Sequence, residues 1–60
     1  MISRTTKPGT RVWHKVLGFG VLEGFESKIA EYKGFAIVKF DEYHERFLIE
    51  RKKLTEIEET

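Results

Sequence analysis

Along this chain apolar residues alternate with polar ones in short bursts, and glycine, proline or polar clusters break every burst. A period of two places successive side chains on opposite faces of a strand, so each burst predicts a half-buried strand. The first covers 10–15, where Val12 and His14 share one face and Arg11, Trp13 and Lys15 the other. Lys7-Pro8-Gly9 launches it as a turn, proline presetting φ and glycine tolerating positive φ. Gly18-Phe19-Gly20 then reads as a sharp bend with its Phe turned into the core. A second strand follows over 21–26, with Val21, Glu23 and Phe25 set against Leu22 and Gly24, and Gly24 predicting curvature.

The stretch 27–34 fits one helical turn, with Gly34 placed as a C-cap, but isolated helices under about 12 residues are marginal. It is therefore read as a long hairpin loop pinned by Ile29 and Tyr32. The clearest strand is 35–41, rich in β-branched and aromatic residues, with Ala36, Val38 and Phe40 on one face and Phe35, Ile37 and Lys39 on the other. Asp41 to His44 form a turn, and 45–49 returns as the partner strand. Residues 50–54 predict a single turn that tucks Leu54 inward, and 55–57 a last short strand beside the first. Residues 1–6 lack periodicity and predict a flexible N-terminal arm, 7–57 one folded domain, and 58–60 a frayed C-terminus.

Four or five short strands with closely spaced turn signals predict an all-β fold, a small barrel. Sixty residues make one domain with a thin core, burying about 60% of the unfolded surface. The absence of cysteine excludes disulfides and thiolate metal sites. Apolar runs no longer than three or four residues predict no membrane span, and the polar start predicts no secretory signal, so a cytoplasmic setting is expected. A formal net charge of +1 argues against a domain devoted to coating nucleic acid, while leaving room for a local basic face.

Four segments together carry a resemblance. Gly9-Thr10-Arg11-Val12-Trp13-His14, Leu17-Gly18-Phe19-Gly20-Val21, Ile37-Val38-Lys39-Phe40-Asp41 and Arg46-Phe47-Leu48 resemble the G-x-x-V-x-H, [FL]-G-x-G-x-V, V-x-F-D and K-x-L elements of one module. It is the Tudor-like module at the C-terminus of UvrD/PcrA-type DNA helicases, related in architecture to the polymerase-interacting domain of CarD and of transcription-repair coupling factors. The resemblance spans about residues 8–54. It implies a small five-stranded Tudor/SH3-like barrel acting as a non-catalytic interaction module, with bacterial RNA polymerase as partner and DNA binding as a second role. The chain differs in carrying Tyr43-His44 where the helicase modules usually have Gly.

Catalytic chemistry finds few candidates. Ser3 and Ser27 have no base at useful spacing, the carboxylates are scattered, and a small filled barrel leaves no substrate pocket, so no enzyme and no cofactor are expected. Neither His14 nor His44 has the further ligands zinc requires, and His14 reads as a strand histidine bonded to backbone at the glycine-rich bend. The remaining candidates for partner binding are Arg11, Trp13, Lys15, Lys39 and Arg46, an aromatic residue flanked by cations, with the resemblance placing Val12 inward and so Trp13 on an exposed face. They suit a protein partner that also uses an open strand edge, by which a homodimer could equally form. The alternative is a nucleic-acid-binding module using the same five residues. Arg51-Lys52-Lys53 reads as solvated surface, partly cancelled by neighbouring glutamates.

Overall fold

The computed structural model describes residues 1–57, and the expected frayed C-terminus at 58–60 lies outside them. Five antiparallel strands form one sheet: β1 (Arg11–His14), β2 (Gly18–Phe25), β3 (Ala36–Phe40), β4 (Arg46–Ile49) and β5 (Thr55–Glu56). Their order across the sheet is β4-β3-β2-β1-β5, and no ladder joins the two ends. Short 3₁₀ turns at Ala30–Tyr32 and Arg51–Lys53 are the only helical elements among the described residues. The all-β, five-strand expectation is met; the sheet itself is not closed.

One face of the sheet is the core. Val12, Leu22, Ala36, Val38 and Phe40 are fully buried on it, joined by Ile2 and Leu54, with Leu17, Phe25, Phe47 and Ile49 packed around them. A single sheet without a covering helical layer can bury one face this completely only by curling around it. The β3 alternation predicted from sequence holds in full, with Ala36, Val38 and Phe40 inward. Leu54 tucks in behind its 3₁₀ turn as expected, and the last strand pairs with the first, Thr55 facing Trp13 and Glu56 facing Val12.

Curling needs a place where the pleat breaks. Leu22 faces Val38 but Gly24 faces Ile37, so Glu23 is an extra residue in β2. This bulge sits beside Gly24, where the sequence predicts curvature. It also resets the alternation: Phe25, opposite Ala36, joins Leu22 at the core instead of pointing away from it.

Three sequence expectations are corrected. The connection between β1 and β2 is the turn at 15–17, and Gly18-Phe19-Gly20 belongs to β2 itself. Gly20, not Phe19, faces inward, and Phe19 is 50% exposed. The reason is volume. A Cβ on Gly20 would lie 2.8 Å from Phe40 Cδ1 and 2.9 Å from the Lys39 carbonyl oxygen, so the Phe40 ring already fills that position.

The N-terminal segment is the second correction. Ile2 is 1% exposed in the core and its N–H donates to the Arg51 carbonyl at 3.3 Å, so the expected arm contributes a core side chain. Burying one such side chain stabilises a fold by roughly 1.5–3 kcal/mol, a large share for a small domain. Third, Ile29 does not pin the 26–35 loop; it is half exposed. The loop is held instead by the Glu26 carboxylate, which accepts the N–H groups of Lys28 and Ile29, and by Tyr32 set edge-on against Phe35 at 5.3 Å.

His14 takes the structural role expected of it. Its Nδ1 accepts the N–H groups of Val16 and Leu17 at 3.1 and 3.2 Å, capping the β1–β2 turn, and its ring stands edge-on to Phe40 at 6.0 Å. Asparagine can place an acceptor oxygen near the same two N–H groups. His14→Ala is therefore expected to lower unfolding free energy by about 1–3 kcal/mol, and His14→Asn by less, as read from urea denaturation.

The glycines give a sharper contrast. A Cβ added at Gly24 would meet no atom within 4 Å, whereas one at Gly20 meets backbone as well as a ring. Gly20→Ala is expected to cost about 1–3 kcal/mol by overpacking, while Gly24→Ala stays within about 0.5 kcal/mol of the parent in the same denaturation experiment.

Candidate interaction surface

The outward face of the sheet follows from the register. Arg11 faces Val21, Val21 faces Lys39, and Lys39 faces Arg46, so three of the candidate cations lie in one row across β1 to β4. A parallel row places Trp13 opposite Phe19. Trp13 is 38% exposed while Val12 is fully buried, which is the parity expected from sequence. The topology thus brings Arg11, Trp13, Lys39 and Arg46 onto one face. Lys15 is not on it: it lies in the exposed β1–β2 turn.

The cations of the row are already engaged. Arg11 donates through both terminal nitrogens to the two oxygens of Asp41, at 2.9 and 2.8 Å, and its guanidinium lies 5.9 Å above the Phe19 ring. Asp41 is delivered to this position by its backbone N–H, which donates to the Phe19 carbonyl. Lys39 donates to the carbonyls of Phe40 and Tyr43, and Arg46 pairs with Glu23, the bulged residue of β2. The row is a clasp across the sheet in which two carboxylates match two of the three cations and carbonyl oxygens hold the third. Of its three positive charges, only that of Lys39 has no carboxylate within ion-pair distance among the described residues.

A different cationic group gathers at the edge near β1. Trp13, His14, Lys15, Val16, Lys52 and Lys53 line a cleft of about 450 Å³. Lys52 lies 3.4 Å from the Glu50 carboxylate. By sequence alone Lys52 and Lys53 read as solvated surface, unconnected with Trp13 some forty positions earlier. The pairing of Thr55 with Trp13 is what carries the 51–53 turn to this place. The usable signal was the expected docking of the last strand on the first.

The sheet also has a free edge. β4 pairs with β3 on one side only, and among the described residues no backbone bond takes up its other side. Leu48 points outward there at 37% exposure, opposite Ile37 on the outer face. At the other end β5 is only two residues long. No family model, curated protein or solved structure matches the chain. No helix among the described residues is long and apolar enough to cross a membrane.

Electrostatics at the surface has a defined pH signature. The hydrogen-bonded Arg11 guanidinium holds the Asp41 carboxyl below its ordinary range, and the backbone N–H groups of Lys28 and Ile29 do the same for Glu26. A carboxyl lowered in the folded state stabilises the fold above its unfolded value, and that contribution is lost as pH falls through the folded value. Asp41→Asn is expected to be less stable than the parent at neutral pH. The gap should close as urea midpoints are followed from about pH 7 down to about pH 2.

Proposed function

We propose that this chain is a non-catalytic interaction module that docks on a protein through the free edge of β4. The observation that carries the reading is this unpaired strand edge, flanked by outward Leu48 and by the exposed Trp13 and Phe19 farther along the same outer face. An extended segment of a partner can add to such an edge by main-chain hydrogen bonds, with outward side chains setting specificity. Half-exposed aromatics on a rigid sheet suit the anchoring role that Trp and its neighbours play at interfaces. The resemblance to the helicase and CarD-type modules makes bacterial RNA polymerase the partner to test first, and a cytoplasmic role in transcription follows from that choice. Two copies pairing β4 to β4 are the competing use of the same edge.

The engaged row of Arg11, Lys39 and Arg46 argues against a nucleic-acid-binding module built on those cations, because each has a carboxylate or carbonyl beside it. The row's place in this reading is to stiffen the docking face. A charge at the exposed edge opposes strand addition without touching the core. Pull-down from a bacterial lysate is expected to recover polymerase subunits with the parent chain, and far less with Leu48→Lys or Trp13→Ala. Failure to recover any polymerase subunit with the parent overturns the partner. A dimer by size-exclusion chromatography that Leu48→Lys dissociates would assign the edge to self-association instead.

A further inference from the structure

We propose that the cleft between the β1–β2 turn and the Arg51–Lys53 turn binds single-stranded nucleic acid, with Trp13 as the stacking platform and Lys15, Lys52 and Lys53 as phosphate contacts. The site is separate from the β4 edge and does not rest on the docking reading.

Three observations combine here. The cleft has a half-exposed indole as one wall. Three lysines from two different turns converge on it, all of them exposed, so their ammonium groups reach the cleft from water without the cost of burial. Among the described residues, Lys52 is the one of the three with a carboxylate within ion-pair distance, at 3.4 Å, in contrast to the closely matched Arg11 and Arg46 of the sheet row. Among the described residues, two lysines without a carboxylate in ion-pair range, Lys15 and Lys53, therefore coincide with a half-exposed tryptophan.

That pairing selects the ligand. A π-face attracts a nucleobase of any identity once the base is unstacked, which a duplex does not supply and a single strand does. Lysines act as hydrated point charges on phosphate and do not present the planar fork that recognises a guanine edge or a carboxylate bidentately. The expected mode is sequence-tolerant backbone tracking over a few nucleotides. An acidic peptide would answer the charge but has no base to stack on Trp13. The turn geometry is prepared for this use, since the His14 Nδ1 bonds to the Val16 and Leu17 N–H groups set the path of the loop that carries Lys15.

Trp13 is the sole tryptophan, so its fluorescence reports directly on the cleft. Titration with an oligothymidylate of about ten nucleotides is expected to quench it. Three phosphate contacts on a single strand give a slope of log K against log salt near −2, or about 20-fold weaker binding at 200 mM than at 50 mM salt. Lys15→Gln and Lys53→Gln should each flatten that slope by about 0.7, while Lys28→Gln, an exposed lysine outside the cleft, leaves it unchanged. All three positions are exposed, so the variants keep the fold. Absence of quenching at low salt overturns the proposal. So does equal binding by a duplex of the same length, or equal quenching by polyglutamate.

Discussion

The contact on which the rest of this fold depends is the seating of the Phe40 ring against the backbone of Gly20. At this crossing β2 and β3 approach too closely for any side chain on the β2 residue, and the ring takes the space a Cβ would need. Phe40 can then reach Phe47 and His14, each edge-on within 6.0 Å, which ties β4 and the β1–β2 turn to the same point. Parity does the rest. With Gly20 inward, Phe19 and Val21 must point outward, and the outer rows headed by Trp13 and Arg11 are set by their register with these two residues.

A sixty-residue sheet has too little core to spare, and the molecule compensates with parts from outside the strands. Ile2 and Leu54 come from the two ends of the described chain to complete the buried cluster, and the Glu23 bulge lets the sheet curl around it. The same bulge serves the surface, because it is Glu23 that neutralises Arg46. With Arg11 held by Asp41, the outer face acquires cross-strand ties between β2 and β4 and between β1 and the turn after β3. Exposed ion pairs contribute little individually, but the two-pronged Arg11–Asp41 geometry is the favourable case.

This arrangement separates two kinds of surface. Paired charges occupy the middle of the outer face, while the unpaired strand edge lies at β4 and the loosely matched lysines lie near β1 and β5. A protein-docking edge and a phosphate-binding cleft can therefore be proposed at opposite ends of one sheet, with Trp13 the one residue they share. Trp13 belongs to the cleft by position and to the outer face by register, which makes it the residue at which the two readings meet.

The number and order of the strands, the β3–β4 hairpin, the inward turn at Leu54 and the outward parity of Trp13 were legible in the sequence, because alternation and turn chemistry are local properties of a few adjacent residues. What was not legible depended on space between strands. Gly-Phe-Gly looks like a bend around a buried Phe, and only the volume of the Phe40 ring decides that Gly20 is the residue facing in. Ile2 stands alone in a polar segment, with no periodic partner to mark it as core. Five candidate residues could be picked from one strand and its presumed neighbours. Which cations are already matched is a question of partners 23 and 30 positions away, and the sequence is silent on it. Local pattern determined which residues could face a partner; tertiary contact decided which of them still had charge to offer, because an ion pair needs two groups brought within a few ångströms by the fold.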